Sequence, residues 1–343
     1  MDIRFAGAIS ALVVSLGMTA ATSAQDAAAL DTSEPVVATI AGYSAGGMAS
    51  LLGEGQALTV RKHYPGSNIV YEPGNPAGSM VAVANGEREF ALETSIEIGM
   101  AQRGEAPFRE AYGDKISGIV AIGPKLTTAH VYGRAAFLDE HDIKSFADIK
   151  ERKIPVRISI NQPGNLWARA HVVAILNQYG LTMEELESFG GTLIPQSTGP
   201  THELMKDSRA DIIITGGFAP VGSVIELNST TPLRFLPMTA EEAAAAAKQM
   251  NVDVGVIPAG TYDFQTEDLH VPVSTHYIVA GPAATDEQAY KFAKSVNAEL
   301  ADFQAMHPAF QAATKETLVP KVEGLRIHPG AAAFYKEAGL LPN

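Results

Sequence analysis

The sequence predicts an α/β protein of two lobes, and three observations carry that expectation. Short runs rich in β-branched residues alternate with helix-length patterns along most of the chain, as strands joined by helical crossovers do. Five loops after such runs are rich in Gly, Pro and Ser: GYSAGG, PGNPAGS, NQPGN, TGGFAPVG and IPAGTY. In open α/β sheets ligands bind outside the carboxyl ends of strands, where such loops converge. The chain also has 343 residues, more than the roughly 250–300 at which a single core stops growing.

Taken in order, VVATI ends a strand over 36–40, being apolar and β-branched, and 49–63 reads as a helix. A strand over 68–72 leads to a short helix over 79–85, with Ser79 as its N-cap after Pro76-Ala77-Gly78. FALE over 90–93 is a strand, and 116–122 and 129–133 continue the series. Then come a helix over 144–151, a strand over 156–160, and a helix over 166–178. A helix–strand step over 198–207 and 211–215 follows, then an Ala-rich helix over 241–249 and a long one over 286–306. Strands separated by helices of this length predict parallel sheets with βαβ crossovers.

Arg4, the apolar run 6–18 and the small residues leading to Gln25 have the layout of a secretory signal peptide. Cleavage is expected after Ala24, and the run is shorter than the ~20 residues a spanning helix needs. The chain has no cysteine, so neither a lipid anchor on Cys nor thiol chemistry is expected. A periplasmic monomer is the expected product. Its 46% hydrophobic and 18% charged residues are globular in proportion, and a net charge of −13 disfavours nucleic acid. Histidines are scattered and H-E-x-x-H is absent, so no metal site is expected. GxGxxG and the Walker lysine are also absent, and no cofactor is expected.

Gly42-Tyr43-Ser44-Ala45-Gly46 matches the G-x-S-x-G nucleophile elbow. A secreted serine esterase using Ser44 is therefore the alternative from another class. The elbow normally lies deep in the chain, with an oxyanion donor upstream. Here few residues precede Ser44, none of them like HGGG, and no histidine sits in a loop that invites the role of base. A glycine-rich turn opening a helix can instead hold a carboxylate on unpaired backbone N–H groups. The turn through Ser44, Gly46 and Gly47 is one such place, Ser79 a second, and Gly164-Asn165 before the helix at Leu166 a third. Tyr43 and Trp167 lie in these loops, with Trp167 expected to face the cleft. Glu93, beside Thr94 at a strand end, is expected either to pair with a lysine structurally or to accept a ligand ammonium or hydroxyl.

The segments over 257–280 (IPAGTYDFQTEDLHVPVSTHYIVA), 328–341 (HPGAAAFYKEAGLL) and 214–227 (ITGGFAPVGSVIEL) resemble the TAXI family of substrate-binding proteins of TRAP transporters. Order and spacing match over essentially the whole mature chain. The resemblance implies a two-lobed periplasmic-binding-protein fold of the Venus flytrap, type II kind, with the ligand cleft between lobes. It places 25–128 and 279–343 in lobe 1 and 129–278 in lobe 2, with crossovers near 128–132 and 274–279. It also implies no catalysis, a small organic acid or amino acid as ligand, and TRAP permease subunits as partner; a sensing role would use the same fold. The expected ligand contacts are Tyr43, Ser44, Gly46, Gly47, Ser79, Glu93, Thr94, Gly164, Asn165, Trp167, Gly216, Gly217 and Phe218. The chain departs from the family at Met48-Ala49-Ser50, where T-Y-Y is usual, at Glu93-Thr94-Ser95 for V-Q-S-D, and at Gly164-Asn165-Leu166-Trp167 for G-S-G-T-E. Trp167 should narrow the cleft, and Glu93 should disfavour a second ligand carboxylate.

Overall fold

The computed structural model describes residues 28–43 and 48–342. The expected signal peptide, and Ser44, Gly46 and Gly47 of the first glycine loop, lie outside the described residues. Strands β1 (Val37–Gly42), β2 (Asn68–Pro73), β3 (Phe90–Thr94), β4 (Ser117–Arg134), β5 (Arg157–Ser159), β6 (Thr192–Ile194) and β7 (Ile212–Gly217) join β8 (Leu233–Phe235), β9 (Asp253–Ile257) and β10 (Leu269–Ala280) in one sheet. Its order is β2-β1-β3-β10-β4-β7-β5-β6, with β8 on β4 and β9 on β10. The helices are α1 (Ser50–His63), α2 (Pro76–Ala84), α3 (Ser95–Arg103), α4 (Ala135–Glu140), α5 (Phe146–Arg152), α6 (Leu166–Gln178), α7 (Met183–Ser188), α8 (Thr198–Lys206), α9 (Gly222–Thr230), α10 (Ala240–Met250), α11 (Asp286–Ala298), α12 (Leu300–Ala305) and α13 (Pro329–Glu337).

The sheet is mixed, which corrects the expectation of parallel sheets. β1, β2 and β3 are parallel to one another, as are β5, β6 and β7. Between these groups β4 and β10 run antiparallel to each other and to their outer neighbours. The two strands expected at 116–122 and 129–133 are one strand of 18 residues. The Gly123-Pro124-Lys125 step is a bulge rather than an end. Lys125 has φ 49°, and its N–H donates to Thr275 Oγ1 at 2.9 Å, so the ladder resumes on the far side.

Both long strands change partners along their length. β4 pairs with β10 as far as Thr127 and with β7 from Thr128 onward. β10 pairs with β9 over Leu269–Val273 and with β3 over His276–Ala280. Buried apolar clusters divide in the same way. Those around Ile40, Leu52, Phe90, Met80 and Phe292 lie with β1–β3 and the C-terminal helices. Those around Ile158, Val172, Ile214 and Val271 lie with β5–β9. β4 and β10 contribute to both sets.

Helix ends explain other departures. α2 starts at Pro76, with Asn75 rather than Ser79 as its N-cap, Oδ1 accepting from Gly78 N at 3.0 Å. Asn before Pro at the first helical position is the favoured combination. The long helix expected over 286–306 breaks at Glu299 into α11 and α12. α3 was not among the expected elements, although Thr94 and Glu97 form its capping box.

The IPAGTY segment, the most specific part of the resemblance, supplies an internal brace. The buried Tyr262 hydroxyl accepts from Val221 N at 2.8 Å and lies 2.8 Å from His130 Nε2. His130 Nδ1 is 3.1 Å from the Thr128 carbonyl, which can only accept. Nδ1 therefore carries the proton and Nε2 accepts from Tyr262. This ties β4 to the loop after β7. Tyr262→Phe leaves a buried ring nitrogen and an amide unpaired, and should cost about 1–3 kcal/mol in urea denaturation; a wild-type midpoint would refute the brace.

Candidate functional site

The ends of β1 and β3 meet the middle of β10 at the place where the long strands change partners. Ile40 pairs with Phe90 and Ala41 with Ala91, so continuing the register brings Tyr43 beside Glu93. Thr94 faces His276 across the β3–β10 ladder, and Ser274 faces Thr127 across β10–β4. The Tyr43 ring meets the His276 ring edge-on at 5.4 Å, and His276 Nδ1 lies 3.1 Å from Thr127 Oγ1. Burial takes the His276 imidazole down to about 3, so the ring is neutral near pH 7.

Two carboxyl groups lie in this region, both fully buried. Glu97 closes the capping box, accepting from Thr94 N at 3.1 Å and from the Thr94 hydroxyl. Its other oxygen accepts from Trp167 N at 2.9 Å, from the first turn of α6. Burial raises its carboxyl, and those hydrogen bonds oppose the rise. Neither oxygen of Glu93 has a hydrogen-bond partner among the described residues, and the Tyr43 hydroxyl meets the Thr94 side chain without a well-formed hydrogen bond among them. Burial pushes Glu93 well above the usual carboxyl range, and Glu97 beside it pushes further.

The expected anion site at the start of α6 is largely filled by the protein itself. Asn165 Oδ1 caps Ala168 N at 3.0 Å, and Glu97 takes the N–H of Trp167. Gly164 packs on Asn75, whose Cγ and Oδ1 would stand 3.1 Å from a Cβ there. Trp167 does not stand free in the cleft as expected. It is 4% exposed, stacked on His171 at 3.7 Å, with Nε1 donating to Ser274 Oγ at 2.9 Å. Gly216 makes room for it, since a Cβ would come within 2.3 Å of the indole. Gly217 accepts from Thr128 Oγ1 at 3.1 Å, and a Cβ there would meet Val221 at 2.4 Å. Both glycines are thus set by packing. Ser79 is buried, its hydroxyl donating to the Gly42 carbonyl at 3.2 Å.

Phe218 follows β7 yet packs with the other half of the molecule. It is 1% exposed, with ring centroids 5.6 Å from Phe310 and 6.0 Å from His307. Contacts of Glu97 with Trp167, Asn75 with Gly164, and Phe218 with Phe310 therefore bring the two halves together around one polar floor. Glu97, His276, Ser274, Thr127 and Asn75 belong to it although the sequence expectations omitted them. Glu97 was findable from the T-S-I-E capping box; the β10 groups carry no local signal.

A family model described as the NMT1-like family matches residues 40–339. The chain belongs to the NMT1-like family. Among solved structures it is similar to MatC from Rhodopseudomonas palustris with bound malate, at 12% identity and a TM-score of 0.53, covering 90% of this chain and 96% of that one. It is also similar to the periplasmic binding protein BugD, at 15% identity and a TM-score of 0.51, covering 90% and 98%. The fold is that of the two-lobed periplasmic binding proteins. Among the described residues no helix is long and apolar enough to cross a membrane.

Two substitutions probe this geometry in the family member. Gly216→Ala places a methyl inside the van der Waals radius of Trp167 and should cost about 1–3 kcal/mol, with altered Trp167 fluorescence; unchanged stability and emission would refute the packing role. For Glu93, a raised folded-state pKa gives a contribution to stability that is full below the ordinary carboxyl value of 4.5 and lost as pH rises through the raised one. Glu93→Gln removes the cost of keeping that carboxyl neutral. Its Tm should exceed wild type at pH 8 and equal it near pH 4; a lower Tm at pH 8 would contradict the assignment.

Proposed function

We propose that this chain is a periplasmic solute-binding protein of the TAXI kind, which captures a small organic acid or amino acid and delivers it to a TRAP-type permease. The observation that carries the reading is the buried Glu93 carboxyl, unpartnered among the described residues, beside the buried Tyr43 hydroxyl at the junction of β1, β3 and β10. They lie where loops from both halves of the sheet converge, the position in which α/β folds take ligands. Residues 25–128 with 279–343 form one lobe and 129–278 the other. They hinge where β4 and β10 change partners, and the ligand drives closure about that line.

The ligand carboxylate is held by backbone N–H groups of the loop through Ser44, Gly46 and Gly47, with Ser79 and Thr94 beside it and Tyr43 as a wall. Gly164, Asn165, Trp167, Gly216, Gly217 and Phe218 build the opposite wall. In this reading Asn165 and Trp167 act by fixing α6 against Glu97. The esterase alternative is weakened by His276. It is the histidine in ring contact with Tyr43, and a value of about 3 makes it a poor general base near pH 7.

A thermal-shift screen over amino acids and organic acids tests the reading. A ligand at 100 times its Kd should stabilise the protein by about 2.7 kcal/mol, and Trp167 emission should change with it. A response confined to sugars or metal ions would sink the proposal.

A further inference from the structure

Glu93 invites a finer assignment, which rests on the solute-receptor reading above. Glu97 already has three donors: Thr94 N, the Thr94 hydroxyl and Trp167 N. Glu93, fully buried beside it, has none among the described residues, and the Tyr43 hydroxyl next to it meets only the Thr94 side chain, without a well-formed hydrogen bond. The titratable groups that act on this corner are Glu97 from α3, Tyr43 from the end of β1 and Tyr71 from β2, with His276 of β10 against Tyr43. None is a cation near pH 7. Lys291 is the one buried lysine or arginine among the described residues, and it is held elsewhere by Glu287, Thr32 and the Glu34 carbonyl.

We propose that Glu93 and the Tyr43 hydroxyl form an amine subsite, that the ligand is a zwitterionic amino acid, and that its ammonium enters in exchange for a proton on Glu93. The donor count fits. An ammonium brings three N–H groups; ionised Glu93 offers two oxygens unfilled among the described residues, and the Tyr43 oxygen beside them can accept the third. A ligand hydroxyl would fill one of them. A second ligand carboxylate would face two buried carboxyls with no cation to offset them. In the exchange the neutral Glu93 carboxyl releases H⁺ to solvent, and the carboxylate pairs with R–NH₃⁺, so charge balances. Affinity for the amine therefore rises with pH.

The test uses probe pairs that differ only in the amine: L-leucine with 4-methylpentanoate, L-glutamate with glutarate, L-alanine with propionate. At least one amino acid should bind, and its deaminated partner should bind at least about tenfold more weakly. Calorimetry in two buffers of different ionisation enthalpy should show proton release approaching one per ligand at pH 6, with tighter binding at pH 8. Glu93→Gln should weaken the amino acid about thirtyfold or more and abolish the release; Tyr43→Phe should weaken it less and keep the release. Equal binding of the deaminated partner, or unchanged affinity in Glu93→Gln, overturns the amine subsite and leaves the receptor standing. No binding by any member of either set overturns both.

Discussion

The antiparallel pair β4–β10 is the constraint on which the rest of the molecule depends. These strands, of 18 and 12 residues, supply side chains to both sets of apolar clusters and hydrogen-bond both parallel strand groups. Their ladder is irregular, with register shifts between Ser274 and His276 and again on either side of Ile278. Irregular pairing bends and twists a strand more readily than a regular ladder. It also turns Ser274, Thr127 and His276 toward groups from the flanking elements. The polar floor is a consequence of where the ladder breaks.

That floor is held by groups that burial keeps neutral. His276 is taken down to about 3 and His130 and His171 to about 4, while Glu93 is driven the other way. A charge inside a protein costs several kcal/mol unless it is paired. Glu97 is paired three times and joins the two halves of the fold through Trp167 N. Glu93 is the neighbour left without partners among the described residues. One helix cap thus decides which of two adjacent carboxyls is structural and which is open to chemistry.

Much of the architecture was legible from local chemistry. α6 was read at its observed bounds because Leu166–Gln178 follows a glycine loop and has a capping Asn165. Most strands were found from β-branched runs. One error came from punctuation that tertiary pairing overrode: Gly123-Pro124-Lys125 reads as a strand end and is a bulge anchored on Thr275, 150 residues away. Of the site, Tyr43, Ser79, Glu93 and Trp167 were singled out, yet Ser79 is not a cap and Trp167 is not a free wall. Gly216 and Gly217 were read as ligand-loop glycines, and their neighbours Trp167 and Val221 give them packing roles.

The sequence by itself determined the α/β class and the loops that would converge, because strand runs, caps and glycine turns are written within a few residues. It also brought Glu93 to notice, as an acid at a strand end. Only the tertiary structure decided that the sheet is mixed, that Trp167 lies on Gly216 and that Glu97 rather than a ligand takes the α6 amide. Those outcomes depend on residues dozens to hundreds of positions apart, where side-chain volume and the pairing of buried polar groups act and local propensity does not.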